Sequence, residues 1–265
     1  MTNLKLKRGK EESLDRFHPW VFSGALATEV PDSVAEGDVV GVVAADGRFI
    51  GVGHYQIGSI AVRMLDFADT VIDATFFSRR LTEAYRLRRT LNLQRPDNDA
   101  FRLVHGEGDF LPGLVVDIYG PTAVVQAHSP GMHYARETIA QALVGIEGLG
   151  VRNVYYKSET TLPYKARLDP RNDYIIGGDE VCTATENGLK FNIDWLRGQK
   201  TGFFVDQRDN RSLLERLSAG RRVLNMFCYT GGFSVYAMRG GADVVHSVDS
   251  SEKAVKLTCE NIELN

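Results

Sequence analysis

The segment 222–251 constrains the fold most, because it alternates two short apolar runs with glycines and a helical stretch. The first run, Val223–Phe227, leads to Gly231-Gly232, a pattern typical of a strand that is buried on both faces of a parallel sheet. Phe233–Arg239 then predicts a helix, which ends at two glycines that tolerate a left-handed cap. Val244–Val248 predicts a second strand. The segment therefore predicts a strand–helix–strand unit with parallel strands and a right-handed crossover.

Two glycines and one acid in this unit indicate a nucleoside site. Gly231 and Gly232 let backbone N–H groups approach a ligand at the positive N-terminus of the helix. Asp249 lies 18 residues after Gly231, at the tip of the second strand, where an acid suits hydrogen bonding to a ribose diol. The glycines do not form the G-x-G-x-x-G pattern of dinucleotide sites. The favoured ligand is a nucleoside with a small carboxylate group, such as S-adenosyl-L-methionine (SAM); the alternative is an α/β core whose glycines only make turns.

Composition places the chain among globular proteins and excludes several classes of function. Its 265 residues are 43% hydrophobic and 25% charged, which predicts one to three domains of ordinary type. The net charge of −3 gives no global signature of polyanion binding, so a nucleic-acid surface must be local. We expect no signal peptide and no transmembrane helix. Three cysteines without metal-ligand spacing predict a cytoplasmic protein with no metal site.

Two further domains are predicted before the strand–helix–strand unit. Residues 1–72 predict a small β domain, because Asp46-Gly47 between apolar runs is a hairpin signal. Residues 73–188 mix helical and strand-like segments and predict an α+β middle domain. Residues 189–265 then begin the nucleoside-binding domain, so the fold class is multidomain α/β and α+β. Trp20, in an aromatic segment of the first domain, is either a core residue or a base-stacking platform.

Arginines concentrate on the helix predicted for Asp73–Leu93. From Arg79 to Arg95 there are six arginines and one acid, Glu83, although the whole chain is acidic. Such a run is either a solvated face or a surface that contacts phosphates without reading sequence. On the second interpretation, RNA is bound by Arg79, Arg80, Arg86, Arg88 and Arg89.

The loop Trp195–Arg211, which precedes the segment 222–251, is dense in hydrogen-bonding side chains. Loops placed over a sheet edge commonly hold ligands. Phe203 and Phe204 are candidates to pack against an adenine face. Lys200 and Gln207 are candidates to reach a cofactor's carboxylate or amino group. The alternative is a surface loop whose phenylalanines fill the core.

Four motifs make the chain similar to a known family. GQKTGFFVDQRDNR (198–211), followed by VLNMFCYTGGFSVYAMRGGADVVHSVDSS (223–251), resembles the bacterial large-subunit ribosomal RNA cytosine-C5 methyltransferases that carry an N-terminal PUA domain. RLVHGEGDFLPGLVVDIYG (102–120) is similar to that family's middle domain, and RFHPWVFSGAL (16–26) to its PUA module. The resemblance implies a Rossmann-like class I methyltransferase domain, SAM as methyl donor, and 23S ribosomal RNA as substrate.

The resemblance also assigns site residues. It implies cofactor contacts from the loop Gln199–Gln207 and the turn Asn225–Gly232, with Asp249 on the ribose. The cofactor residues predicted in this way are Gln199, Lys200, Thr201, Phe203, Gln207, Asn225, Phe227, Tyr229, Thr230, Gly231, Gly232 and Asp249.

The chain departs from the family at its last residues. The family continues with further strands, an Asp-Pro-Pro-type motif for the target base and a cysteine nucleophile. We therefore expect a fragment that ends within the catalytic domain, is inactive alone and has its catalytic residues beyond Asn265. Cys228 is disfavoured as the nucleophile, because a base bound there would collide with the methyl donor.

Two other functions stay open at this point. One is a non-catalytic RNA-binding protein that uses the first two domains. The other is a nicotinamide oxidoreductase, which the glycine pattern disfavours. The sequence also leaves open whether the protein forms a homodimer.

Overall fold

The computed structural model describes residues 1–163, 168, 170–178 and 183–265. These residues form two compact units. Unit 1 comprises Met1–Leu87, Leu103–Val116 and Val125–Gly177, and unit 2 comprises Arg88–Arg102, Asp117–Val124 and Gly178–Asn265. Cys182 lies outside the described residues.

The small β domain predicted at the N-terminus is confirmed as a five-stranded sheet. Its strands are β1 (Asn3–Lys5), β2 (Trp20–Phe22), β3 (Val39–Val43), β4 (Phe49–Tyr55) and β5 (Ile60–Asp66). They lie in the order β1-β3-β4-β5-β2, with β1 parallel to β3 and the other pairs antiparallel. The predicted hairpin at Asp46-Gly47 joins β3 to β4, with Gly47 at φ +94°. Alternate residues of β3, Val40 and Val42, are buried in the core of this domain.

Trp20 is held by polar groups of unit 1 and is only half buried. Its indole Nε1 donates to Oε1 of Glu107 at 2.8 Å, and Nη1 of Arg63 donates to the same oxygen at 3.0 Å. The Arg63 guanidinium also lies 5.8 Å from the indole centroid. The ring is therefore anchored by a carboxylate and a cation, not enclosed in the core.

A second five-stranded sheet follows, with helices before and within it. The elements are α1 (Ala74–Thr90), β6 (Ala100–His105), β7 (Leu114–Tyr119), β8 (Thr122–Ala127), α2 (Pro130–Tyr134), α3 (Arg136–Val144), β9 (Asn153–Tyr156) and β10 (Asp173–Ile176). The strand order is β10-β9-β8-β7-β6. Between β8 and β9 the chain forms two helices instead of one, because Ala135 ends α2 at ψ −1° before α3 begins.

The strand–helix–strand unit is confirmed in unit 2. A hairpin of β11 (Thr183–Glu186) and β12 (Leu189–Asn192) precedes it. The elements that follow are α4 (Arg208–Leu217), β13 (Arg222–Met226), α5 (Gly232–Arg239), β14 (Val244–Val248) and α6 (Glu252–Glu263). Strands β13 and β14 are parallel, and their register pairs Met226 with Val248.

The expectation that β13 is buried on both faces is wrong. Leu224 and Met226 are 62% and 50% exposed, whereas Val223 and Asn225, which alternate with them along the strand, are half buried. Side chains of a strand alternate between faces, so one face is covered and the other is open in the described part of the chain. Burial on both faces requires helices on both sides of a sheet.

We expect two leucines on strands of unit 2 to differ sharply in their contribution to stability. Leu189→Ala removes a buried side chain and should lower the free energy of unfolding by about 2–5 kcal/mol. Leu224→Ala removes an exposed one and should change it by less than about 0.5 kcal/mol. Urea denaturation of both variants measures the difference. Equal losses would show that the open face of β13 is covered in solution.

Candidate cofactor-binding site

The turn between β13 and α5 holds an unusual backbone. Phe227 and Tyr229 have φ of +58° and +49°, a left-handed conformation that costs non-glycine residues of order 1–3 kcal/mol each and that clusters at functional sites. Gly231, the N-cap of α5, has φ +77°. A Cβ on Gly231 would lie 2.6 Å from Cγ2 of Thr258, so only glycine fits against α6 there.

Asp249 closes this turn from the end of β14. Its Oδ2 accepts a hydrogen bond from the Tyr229 backbone N–H at 2.9 Å, and its Oδ1 accepts one from the Ser251 backbone N–H at 2.9 Å. These backbone hydrogen bonds, from Ser251 first and then Tyr229, lower the pKa of the carboxyl below 3.8. The group is therefore an ionised acceptor at neutral pH, and each oxygen keeps acceptor capacity for a hydroxyl.

Tyr229 joins the predicted loop to the predicted turn. Its hydroxyl accepts from the Gln199 backbone N–H at 3.0 Å and donates to the Gly202 carbonyl at 3.1 Å. The ring of Phe204 meets the Tyr229 ring edge-on, with centroids 5.2 Å apart. The loop Gln199–Gln207 and the turn at Tyr229 are thus brought together, as the sequence predicted.

Thr201 was predicted to contact the cofactor, but its side chain is fully buried. Its hydroxyl donates to Oδ2 of Asp117 at 2.6 Å and shares a hydrogen bond with the Tyr119 hydroxyl at 2.9 Å. Arg102 holds the same Asp117 carboxylate in a two-point contact of 2.8 and 2.9 Å. Thr201 therefore anchors the loop from beneath, and its side chain is not available to a ligand.

Phe203 also points into the interior. It is 3% exposed and packs on Phe191, with ring centroids 5.0 Å apart. The neighbouring Phe204 is only half buried. Of the two phenylalanines proposed to pack against adenine, Phe203 fills the core and Phe204 lies at the surface beside Tyr229.

The remaining predicted cofactor residues fall into three groups. Gln199, Lys200 and Phe227 are exposed, whereas Thr230 and Gly232 are buried in the turn. Two half-buried amides are already engaged within the protein. Asn225 Nδ2 donates to Oγ of Ser234 at 2.9 Å, and Gln207 Nε2 donates to Oδ2 of Asp206 at 2.7 Å.

Cys228 has the properties of a structural thiol. It is buried, and its Sγ lies 3.7 Å from Oγ1 of Thr258. Burial raises the pKa of the Cys228 thiol, which lowers its thiolate fraction at neutral pH. This agrees with the sequence argument against Cys228 as the nucleophile.

The five arginines predicted to bind RNA do not share one environment. Arg79, Arg86 and Arg89 are exposed. Arg80 is half buried, with Nη2 3.3 Å from Oδ2 of Asp66. Arg88 is buried, and its Nε donates to the Arg102 carbonyl at 3.0 Å. The side chains of Arg80 and Arg88 therefore point into the protein. The candidate RNA surface is reduced to the exposed arginines Arg79, Arg86 and Arg89.

Neither a metal-binding cluster nor a membrane-spanning helix is found in the part of the chain that the structure describes. No group of three or more His, Cys, Asp or Glu side chains in it is arranged to hold a metal ion. None of its helices is both long enough and apolar enough to cross a membrane.

Comparison with known proteins assigns both ends of the chain. Residues 4–67 match the PUA-like domain family, and residues 153–265 match the S-adenosylmethionine-dependent methyltransferases. The second match confirms SAM as the predicted cofactor. A Streptococcus mutans protein assigned to the SAM-dependent methyltransferases has the same fold, with TM-score 0.82 and 24% identity over 100% of this chain and 68% of its own. A methyltransferase solved with S-adenosylhomocysteine (SAH) has the same fold with a TM-score of 0.81, and it is 24% identical over 100% of this chain and 67% of its own length.

Curated relatives match along nearly the whole chain. The ribosomal RNA large subunit methyltransferase I of Tolumonas auensis is 40% identical over 100% of this chain and 67% of its own length. That of Aeromonas salmonicida is 39% identical over 98% of this chain and 66% of its own. The chain thus spans about two thirds of the length of these relatives. A length ratio alone does not establish the truncation that the sequence suggested, which stays a prediction.

We expect Asp249→Ala to weaken binding of SAH by about 1.5–3 kcal/mol, the cost of losing a hydrogen bond to a charged group. Isothermal titration of this chain measures it. Asp243→Ala, which removes an exposed carboxylate before β14, is the control and should leave the affinity unchanged. An unchanged affinity of Asp249→Ala would remove Asp249 from the site.

The lowered pKa of Asp249 predicts the pH dependence of binding. The carboxylate stays ionised above its ordinary value of 3.8, and its contribution is lost only as the pH falls through the lowered pKa. Affinity for SAH should therefore stay level from about pH 8 to 5. A decline centred near pH 6 would point to a different titrating group.

Proposed function

The chain belongs to the ribosomal RNA large subunit methyltransferase I family, and from this premise we propose that the whole protein transfers a methyl group from SAM to C5 of a cytosine in 23S ribosomal RNA. The observation that carries the proposal is the Asp249 carboxylate, held ionised beside the glycine turn at the ends of two parallel strands. Acids at this point of an open α/β sheet bind the ribose of nucleoside cofactors. We also propose that the protein acts in the cytoplasm, because three cysteines without metal-ligand spacing suit free thiols in a reducing compartment.

The cofactor roles follow from the exposure and charge of each group. Asp249 accepts the ribose hydroxyls, and Phe204 with Tyr229 forms an aromatic wall beside it. Lys200 is an exposed cation of the loop and is the candidate partner of the methionine carboxylate. Gly231 and Gly232 bring the positive N-terminus of α5 close to the ligand. When bound, SAM supplies the methyl group.

The other predicted residues either are exposed at the site or hold the backbone that surrounds the cofactor. Phe227 and Gln199 are exposed at the turn and at the loop. Thr201, Phe203 and Asn225 act by fixing the backbone, because their side chains are committed within the protein. The same holds for Gln207, whose amide donates to Asp206, whereas Thr230 is buried in the turn.

Methylation of C5 requires more than a methyl donor. C5 of cytosine is a weak nucleophile, and enzymes activate it by adding a thiolate to C6. A base within folded RNA must also leave its stack to reach the cofactor. The buried thiol of Cys228 does not meet the first requirement. The thiolate is therefore assigned to another cysteine of the whole protein.

The target base is tested in cells of the source organism. Deleting the gene should remove one 5-methylcytidine from 23S ribosomal RNA, and a plasmid copy should restore it, as measured by mass spectrometry of RNase fragments. Loss of a different methylated nucleoside would refute the C5 assignment while keeping the methyltransferase. If deleting the gene left the methylation pattern unchanged, although the purified protein bound ribosomal RNA, the non-catalytic RNA-binding protein would be favoured.

We expect the exposed arginines of α1 to add sequence-independent affinity for RNA. Replacing Arg86 and Arg89 with Gln should flatten the slope of log affinity against log salt by up to about 1.4, the value for two phosphate contacts on a single strand. Filter binding with two unrelated RNAs measures it. Arg216→Gln, on an exposed position of α4, is the control. An unchanged slope would favour the other interpretation of these arginines, a solvated helix face that does not contact RNA.

A further inference from the structure

We propose that the buried ion pair between Arg211 and Glu186 is a positioning device for the cofactor site. It fixes the loop Gln199–Gln207 against the start of α5. The inference rests on the proposed function, since it concerns the site assigned there to SAM. Neither residue was among those that the sequence assigned to the cofactor.

The pair is buried, and both carboxylate oxygens of Glu186 accept hydrogen bonds. Arg211 on α4 is 2% exposed, and Glu186 at the end of β11 is 0% exposed. Nε of Arg211 donates to Oε1 at 2.8 Å, and Nη2 donates to Oε2 at 2.7 Å, which is a two-point contact. The Tyr236 hydroxyl on α5 donates to Oε1 at 2.9 Å. One carboxylate thus gathers groups from α4 and α5.

Arg211 also reaches the loop. Its Nη2 donates a further hydrogen bond to the Phe204 carbonyl at 3.0 Å. Its guanidinium carbon lies 4.6 Å from the centroid of the Phe203 ring, within cation–π range. The loop backbone is therefore held from beneath at the residue whose ring meets Tyr229.

The same side chain lies against the start of α5. A Cβ on Gly232 would be 3.1 Å from Cδ of Arg211, which is tighter than ordinary contact. Gly232 is the first residue of α5 and adjoins the glycine that caps it. A single arginine thus touches the loop on one side of the cofactor site and the helix start on the other.

Stability alone does not account for this pair. Removing two charges from water costs about as much as their attraction returns, and apolar residues of similar volume often replace such pairs without loss. Apolar side chains cannot donate to the Phe204 carbonyl or supply the rigid geometry of a guanidinium. Without the pair, the loop would have to be ordered by the cofactor itself, which lowers affinity.

The test separates positioning from stability. In the triple variant Glu186→Leu, Arg211→Met, Tyr236→Phe, the pair and the hydroxyl that donates to it are replaced together, and Arg208, whose Nε lies 3.7 Å from Oε2 of Glu186, keeps its hydrogen bond to the Ala100 carbonyl. We expect the urea midpoint of unfolding to stay unchanged or rise, while the Kd for SAH increases at least about tenfold. Equilibrium unfolding and isothermal titration on the full chain measure the two quantities.

A second ion pair provides a matched control. Arg239 on α5 holds Glu215 on α4 in a two-point contact of 2.6 and 2.7 Å, so it links the same two helices. In the described part of the chain its side-chain hydrogen bonds go to Glu215 and to the Asn187 carbonyl, not to the loop Gln199–Gln207. The variant Glu215→Leu, Arg239→Met should leave the Kd for SAH unchanged.

A milder substitution keeps the proposal testable if the triple variant does not fold. Arg211→Lys retains the charge but loses the two-point geometry, and it should raise the Kd for SAH in a folded protein. Unchanged SAH affinity of either folded variant would overturn the proposal. Failure of the unaltered chain to bind SAH would instead refute the proposed function, and with it the site that the pair positions.

Discussion

The hydrogen bond from the Tyr229 backbone to the Asp249 carboxylate is the interaction on which the candidate site depends. The parallel register of β13 and β14 pairs Met226 with Val248, so the residues that follow each strand meet at one edge of the sheet. Asp249 then holds the left-handed turn in place, and the backbone N–H groups keep its pKa low. One contact thus sets both the shape of the turn and the charge of the acid.

Two buried carboxylates hold the loop Gln199–Gln207 on its inner side. Asp117 binds the hydroxyl of Thr201, and Glu186 acts through Arg211 on the carbonyl of Phe204. Each carboxylate is itself held by an arginine in a two-point contact. The loop therefore owes its position to buried groups, and Thr201 is its fully buried polar anchor.

The sequence predicted those features that depend on neighbours along the chain. The strand–helix–strand unit, the hairpin at Asp46-Gly47 and the place of Asp249 follow from apolar runs and glycines, which act locally. It did not predict the direction of Thr201 and Phe203, because a loop has no period that separates inside from outside. The inward turn of Arg88 was predictable in principle. Arg88 lies seven residues after the buried Leu81 and so shares its helix face.

The chain contains two tryptophans, and one falls in each compact unit. Trp20 of unit 1 is half buried and hydrogen-bonded to a carboxylate. Trp195 of unit 2 is 1% exposed and begins the loop Trp195–Arg211. Indole emission shifts to the red with contact to water and polar groups. The native fluorescence spectrum is therefore a sum of a bluer component from one unit and a redder component from the other, and the protein has an intrinsic optical label on each.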